Sequence, residues 1–148
     1  MNYESQSPWL ANGMLENLLL SLSTAVTPPF VATPRMHLYT ASTAPLNQDF
    51  VLSQFTEPTF TGYAAITGTW DGSIVNCSDE GGKGLLFTGT FVCATDPTPG
   101  QTIIGYYVDD GGVQPVMAEL FPTPFLITRG GDFLVLSVLY PLRFNPQA

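Results

Sequence analysis

The histidine at position 37 is the first residue to consider for chemistry, because it is the only histidine in the chain. It stands between Met36 and Leu38 in a segment that alternates like a β-strand. A catalytic histidine needs a nucleophile or an orienting acid, and the sequence has no G-x-S-x-G turn, no H-E-x-x-H pair and no catalytic cysteine signature. We therefore interpret His37 as a structural or interface residue, and a metal centre built from several histidines is excluded.

Acidic residues form the second group with possible chemistry, since paired carboxylates can hydrolyse glycosides or bind calcium. They are expected to lie in glycine-rich loops, at Asp71, Asp79–Glu80 and Asp109–Asp110. Asp is also favoured in turns, because its side chain bonds nearby backbone N–H groups. No segment has the spacing of a calcium loop, and the GGKG around Lys83 lacks that of a phosphate loop. We predict no catalytic, cofactor-binding or metal-binding residues, and hence a protein that is not an enzyme.

Aromatic side chains form the third group. Tyr63, Trp70, Tyr106 and Tyr107 could line a platform for stacking a base or a sugar. A base platform is disfavoured because the chain lacks the positive charge that nucleic acids require. Most of these rings are expected to fill a β-sandwich core, with a carbohydrate-binding face as the open alternative.

Two cysteines, Cys77 and Cys93, complete the reactive residues. They are too few for a disulfide scaffold, and a histidine that could complete a zinc site is missing nearby. They are either small apolar fillers and free thiols, or a disulfide between a loop and a strand.

Length and charge limit the class of protein. The 148 residues suit one domain with a buried core. Only 11% of them are charged, against about 25% in ordinary soluble domains, so Thr, Ser, Asn, Gly and Pro must cover much of the surface. Four basic residues against twelve acidic ones give a net charge of -8, which argues against nucleic acid and anionic membranes as partners.

The N-terminal segment has a leucine cluster, but no Lys or Arg precedes it, and Glu16 and Asn17 interrupt it. We therefore predict neither a signal peptide nor a membrane-spanning helix. Residues 8–22 are predicted to form a helix, with Ser7 as N-cap and Pro8 at the first helical position. Its apolar stripe recurs at helical spacing and consists of Leu15, Leu18, Leu19 and Leu22. With the Pro-rich stretch that follows, this gives an N-terminal arm over residues 1–35 and a β domain over residues 36–148.

The β domain begins where the apolar period changes to two. We predict a short strand in MHLYT and a long one from Phe60 to Trp70, in which Gly62 and Gly68 leave room for a neighbouring segment. The segment LLFTGTFVC alternates in the same way. We expect the second and third of these strands to pair, with DGSIVNCSDEGGKG as their connection.

The clearest local signal is a hairpin around DDGG, with strands over Ile103–Val108 and Val113–Phe121. Pro115 cannot donate to a ladder and predicts an edge or a bulge there. FLIT, an RGGD turn and the run Phe133–Tyr140 close the domain. About seven short strands with Gly, Pro and Asp turns indicate an antiparallel β-sandwich or barrel.

Three parts of the chain carry a family resemblance: FTEPTFTGY, GYYVDD with the following AELF, and the GGD turn before the last strand. In this order they resemble a group of small structural proteins of tailed bacteriophages, over about Met36 to Leu142. The resemblance implies a virion component without catalytic residues. Its two forms are a capsid decoration (cement) protein that bridges capsid subunits, or a fibre, spike or adaptor subunit that binds a host glycan.

Further expectations follow from that resemblance. The partners would be the major capsid protein or other virion proteins, together with copies of the chain itself, most simply as a trimer. The protein would be assembled in the host cytoplasm and reside in the virion. The candidate interface residues are Leu15, Leu18, Leu19, Leu22, Tyr63, Tyr106 and Phe144.

Overall fold

The computed structural model describes residues 1–4, 9–10, 33–44, 49–68, 71–76, 83–112 and 114–142. This part of the chain is mostly β, as predicted, and contains no α-helix. The strands are β1 (Asn2–Glu4), β2 (Trp9–Leu10), β3 (Arg35–Tyr39), β4 (Ala41–Ser42), β5 (Phe55–Thr56), β6 (Ile66–Thr67), β7 (Asp71–Asn76), β8 (Lys83–Val92), β9 (Gln101–Asp109), β10 (Pro115–Ile127) and β11 (Phe133–Leu142). A 3-10 turn, Leu52–Gln54, precedes β5.

A four-stranded sheet has the order β1-β11-β8-β7. Strands β8 and β11 are antiparallel and stay in register from the pair Val92 and Phe133 to the pair Lys83 and Leu142. Their strict alternation explains this pairing, because a shift by one residue would turn every buried side chain outward. The inward side chains of β8 are Phe87 and Phe91, while Thr88 and Thr90 are exposed, as the sequence predicts.

A five-stranded antiparallel sheet has the order β2-β10-β9-β3-β6. Strands β9 and β10 form the predicted hairpin, whose turn holds Gly111 and Gly112 at positive φ. The register shifts between Pro115 and Met117, so the expected bulge at Pro115 is confirmed. A second shift lies between Leu120 and Phe125, where two prolines interrupt the ladder.

The two sheets form a β-sandwich-like fold around one apolar core. Tyr3 of β1 contacts rings of the other sheet, with centroids 6.5 Å from Tyr106 and 4.7 Å from Phe121. The core takes alternate residues from the central strands, among them Met36, Leu38, Tyr106, Val108, Leu134, Leu136 and Val138.

The segment Asp49–Tyr63, which we call the strap, adds a third layer. Its backbone accepts hydrogen bonds from the amides of Thr40 and Thr43, and the short strands β4 and β5 pair there. Because the strap covers one face of the five-stranded sheet, β3 and β9 are buried on both faces along much of their length. Polar residues on the covered face therefore lie in the interior.

The prediction of one long strand from Phe60 to Trp70 is wrong. Residues 60–62 form a turn with Gly62 at φ 95°, and only Ile66–Thr67 is a strand. Strand β6 pairs with β3 and not, as expected, with β8. Strand β8 pairs with β7, which lies in the segment that was expected to be only a connection. The turn at Gly62 interrupts the strand that the alternation of apolar residues predicted. The expected close packing at the two glycines is confirmed, since a Cβ at Gly62 would lie 2.8 Å from the Val92 carbonyl oxygen and one at Gly68 would lie 2.5 Å from the Phe87 ring.

The prediction of an N-terminal helix is also wrong where the structure describes that segment. Trp9–Leu10 is a strand paired with Met117 and Ala118 of β10, inside the span where a helix was expected. The stripe residues Leu15, Leu18, Leu19 and Leu22 lie outside the described residues, as do residues 11–32 of the arm. The division into an arm and a β domain between residues 35 and 36 stays a prediction. Strands β1 and β2, which belong to the predicted arm, are part of the four-stranded and the five-stranded sheet, respectively.

Candidate functional site

A cluster of charged and polar side chains lies between the five-stranded sheet and the strap. Its centre is His37, which is 5% exposed and lies between two carboxylates. His37 Nε2 is 2.8 Å from Asp109 Oδ2, and His37 Nδ1 is 3.1 Å from Glu57 Oε1. We call this group the His37 cluster, and its members are Arg35, His37, Glu57, Tyr63, Tyr107 and Asp109.

The register of β3 and β9 assembles the buried half of the cluster. Arg35 lies opposite Asp109, and His37 lies opposite Tyr107. The guanidinium of Arg35 donates two parallel hydrogen bonds to Asp109, of 3.0 and 2.9 Å. The Gly111 amide donates to the same carboxylate. Asp109 is only 1% exposed, so it is one of the buried charges that require such paired partners.

The strap supplies the other half through Glu57. Its Oε1 accepts a hydrogen bond of 2.6 Å from the Tyr107 hydroxyl, and its Oε2 accepts one of 2.8 Å from the Tyr63 hydroxyl. The Glu57 side chain is 38% exposed. A single carboxylate therefore joins the strap to both β3 and β9.

Ring stacking surrounds these hydrogen bonds. Tyr107 stacks on His37 with centroids 4.4 Å apart and planes 2° apart, and on Phe55 of the strap at 4.5 Å. The stack holds the imidazole in the plane that reaches both carboxylates.

The two carboxylates of the cluster are ionised at neutral pH. Burial by itself raises the pKa of Glu57, but the hydrogen bonds from Tyr107 and Tyr63 and the nearby His37 outweigh it, so that the pKa falls below its ordinary value. Burial also raises the pKa of Asp109, and the hydrogen bonds from Arg35 and Gly111 with the charge of His37 more than reverse it. Both carboxylates consequently act only as acceptors.

The tyrosines shift in the opposite direction. Burial, followed by the hydrogen bond and the charge of Glu57, raises the pKa of Tyr63 and of Tyr107. For Tyr39 on β3, burial and the charge of Glu119 raise the pKa to about 12. All three phenols thus remain neutral donors over the physiological range.

A second buried carboxylate, Glu119, lies on β10 and is 4% exposed. It accepts hydrogen bonds from Tyr3 at 2.7 Å and from Tyr106 at 2.8 Å. Its backbone carbonyl accepts from the Tyr39 hydroxyl at 3.1 Å. This carboxylate therefore joins β1, β9 and β10 within the core.

Chemically, the His37 cluster resembles a saturated structural network more than a catalytic one. The polar side chains bonded to His37 are two acceptors, and neither is a nucleophile poised for deprotonation. Within the described ranges, no group of three or more His, Cys, Asp or Glu could hold a metal ion. The structural or interface role expected of His37 stays a prediction, and its two acidic partners, Asp109 and Glu57, were not recognised from the sequence.

Two of the sequence-predicted interface residues lie in the described part, and neither forms an open platform. Tyr106 is 0% exposed and donates to Glu119, so it has no surface for a partner or a sugar. Tyr63 is partly buried, and its hydroxyl lies 3.2 Å from the Leu38 amide nitrogen at the edge of β3. Phe144, Trp70 and the four leucines lie outside the described residues.

Three of the remaining candidates, Cys93, Asp109 and Asp71, lie in the described part of the chain. Cys93 is a free, buried cysteine whose thiol donates to the Thr95 carbonyl oxygen, which fits the interpretation as a filler. Asp109 accepts from the Gly111 amide as a turn residue does, while also pairing with Arg35. Asp71 begins β7 and does not lie in a loop. Cys77, Asp79 and Glu80 lie outside the described residues.

The outer face of the four-stranded sheet, turned away from the core, is unusual for a different reason. Four of the cross-strand pairs between β8 and β11 lie on this face, and they consist of Leu86, Thr88, Thr90, Val92, Phe133, Val135, Ser137 and Leu139. Val92 and Phe133 form one of these pairs, and they are 48% and 47% exposed. No charged side chain occurs among these eight residues, in a chain of net charge -8.

No helix in the described part of the chain is long and apolar enough to cross a membrane. No family model, curated protein or solved structure matches the chain.

Proposed function

We propose that the chain is a non-enzymatic structural subunit of a virion, in particular a capsid decoration protein that binds neighbouring capsid subunits through the outer face of its four-stranded sheet. The observation that carries the proposal is the charge-free, partly apolar row of eight outward positions on the central strands β8 and β11 of an otherwise acidic chain. The resemblance to tailed-phage structural proteins supplies the identity of the partner.

The physical argument starts from the exposed pair Val92 and Phe133. Solvent-facing positions of an antiparallel sheet are normally polar and often charged, and charged residues are depleted in the centres of protein interfaces. A face of Thr, Ser, Val, Leu and Phe can be covered without stripping water from ionised groups. The eight positions on β8 and β11 also present no like charge to an acidic partner.

The fibre or spike alternative depends on exposed tyrosines that could contact a glycan. Tyr106 lies in the core, and the Tyr63 hydroxyl is engaged by Glu57. The geometry of the described residues therefore favours protein contact over glycan binding. As part of the same proposal, copies of the chain assemble as a trimer, which mass measurement of the purified protein would test.

The first test is the number of copies in purified particles of the phage that encodes the chain. A decoration protein is expected in hundreds of copies, whereas a handful per particle would exclude that role.

The second test introduces charge at the centre of the face with Thr90→Glu. The matched control is Thr123→Glu, an exposed threonine on β10 of the other sheet.

We expect folded Thr90→Glu protein to be absent from particles and Thr123→Glu protein to be incorporated normally. Circular dichroism checks that both variants fold. Normal incorporation of Thr90→Glu would show that the outer face is not the contact surface, even if the copy number is high.

A further inference from the structure

The strap is held to the sandwich by contacts of two kinds. Phe50 and Phe60 are buried, each 4% exposed. Backbone amides of the sandwich donate to strap carbonyls, from Thr40 to Thr56 at 2.8 Å and from Ala94 to Thr61 at 2.7 Å. A charged contact between the strap and the sheet is that of Glu57 with His37, at 3.1 Å.

The geometry determines how many protons the His37 ring must carry to make both of its hydrogen bonds. An ionised carboxylate can only accept hydrogen bonds, and His37 has a carboxylate at each ring nitrogen. A neutral imidazole has one N–H and can donate to only one of them. Both hydrogen bonds are made only when both ring nitrogens carry a proton, which also balances the charges of Arg35 and His37 against those of Asp109 and Glu57.

The two carboxylates are not equivalent when one proton leaves. Asp109 is 1% exposed and lies closer to His37, at 2.8 Å against 3.1 Å for Glu57. A buried acceptor that loses its donor costs more than an exposed one, since water can replace the donor only at the surface. The remaining N–H therefore stays with Asp109, and the lone pair of Nδ1 then faces the carboxylate of Glu57.

We propose that His37 and Glu57 form a proton-dependent latch, which holds the strap closed while the imidazole is doubly protonated and loosens the strap when the Nδ1 proton leaves. Loosening weakens the cover over the aromatic rings of Tyr39 and Tyr107. The titratable groups of the described residues that face the latch are Arg35 and Tyr39 from β3, Tyr107 and Asp109 from β9, and Glu57 and Tyr63 from the strap.

Other titrations of the cluster fall outside the range of imidazole. The tyrosines ionise only in strong alkali, because burial raises their pKa. Glu57 takes up a proton only in acid, because its pKa is lowered. Between these limits imidazole is the side-chain type that changes charge, and the only histidine of the chain lies between the two carboxylates.

Amide hydrogen exchange on the isolated full chain tests the latch directly. The amides of Thr40, Thr43 and Ala94 donate to the strap, so their protection reports how often it opens. After correction for the intrinsic rate, we expect their protection to fall about tenfold between about pH 5 and about pH 9, since a hydrogen bond to a charged group is lost. Amides between β8 and β11 provide the internal control and should keep their protection.

The only histidine in the chain makes the assignment unambiguous. The fall in protection must follow the titration of the single imidazole signal in the NMR spectrum. His37→Gln should abolish the pH dependence at the three amides, and Glu57→Gln should give low protection at all these pH values. The matched control Asp96→Asn, an exposed carboxylate outside the cluster, should behave as the wild type.

Protection that is independent of pH in the wild type would overturn the proposal, as would an equal pH dependence in His37→Gln. If either variant fails to fold, the comparison of protection with the imidazole signal in the wild type still decides. The experiment needs no virion, so its outcome is independent of the proposed capsid role.

Discussion

Tyr107 donates its hydroxyl hydrogen to Glu57 at 2.6 Å, across the boundary between the five-stranded sheet and the strap. The same ring stacks on His37 and on Phe55. One tyrosine thus connects a hydrogen bond to a carboxylate with an aromatic stack, and both connect β9 to the strap. This junction is one of the contacts by which the strap covers the face of β3 and β9, together with the buried Phe50 and Phe60.

The coupling of that pair can be measured by a double-mutant cycle. Tyr107→Phe keeps the stacked ring and removes only the hydroxyl, and Glu57→Gln keeps the shape and removes the charge. Each change should lower the free energy of unfolding by about 1–2 kcal/mol, the partial exposure of Glu57 limiting the loss. Urea denaturation should show the double variant about 1 kcal/mol more stable than the sum of the two losses predicts. Strict additivity would mean that the two side chains do not interact.

Stability should decrease in acid because of the same cluster. The pKa values of Asp109 and Glu57 are lower in the folded chain than in the unfolded chain. Their contribution is therefore complete above about pH 4.5 and is lost as the pH falls through the folded values. Thermal unfolding followed between about pH 2 and about pH 7 should show a smaller acid dependence in Asp109→Asn, at lower overall stability. An acid dependence as steep as in the wild type would assign it to other carboxylates.

In alkaline solution, the stability of the fold should decrease as the pH rises, because buried tyrosines must then ionise. The pKa of Tyr39 is raised to about 12, and those of Tyr63 and Tyr107 are raised as well. A tyrosine whose pKa is higher in the folded chain contributes its full stabilisation below the pKa of the unfolded chain, about 10. This stabilisation is lost as the pH rises through the pKa of the folded chain. Ultraviolet titration of the six tyrosines should therefore show at least three that ionise only above pH 10, together with unfolding. Titration of all six near pH 10 in the folded protein would contradict the burial of these phenols.

Gly105 on β9 tests the packing between Tyr39 and β10. A Cβ at this position would overlap the Glu119 carbonyl oxygen and the Tyr39 hydroxyl. Gly105→Ala should lower the free energy of unfolding by about 3 kcal/mol, because the buried backbone cannot move away. The matched control is Gly111→Ala, where nothing lies within 4 Å and only the positive φ of 102° is strained, at a cost of about 1 kcal/mol. Equal losses in urea denaturation would show that Gly105 can relax.

Local patterns in the sequence predict the strands that alternate without interruption. The period of two in LLFTGTFVC correctly places Phe87 and Phe91 inward and Thr88 outward, because side chains of a strand point alternately to its two faces. The DDGG turn predicts the β9–β10 hairpin for an equally local reason, since glycine tolerates positive φ. Neither inference needs any knowledge of distant residues.

The same local rule fails over Phe60–Trp70. Its apolar residues alternate, yet the chain turns at Gly62 and passes from the strap to β6. Phe60 is buried and packs against the ring of Tyr63, so the apolar positions are explained by the strap and not by a central strand. Periodicity reports that residues are buried, but it does not report against which layer.

By itself, the sequence determined the β class of the protein, the main hairpin and the inward faces of its longest strands, because these depend on residues close together in the chain. Only the tertiary structure decided that His37 meets Asp109, 72 residues away, and Glu57, 20 residues away. The register between β3 and β9 and the path of the strap bring these three residues together. Their meeting depends on the packing of separate layers, for which a lone histidine, a turn aspartate and a glutamate in a polar segment leave no local signal.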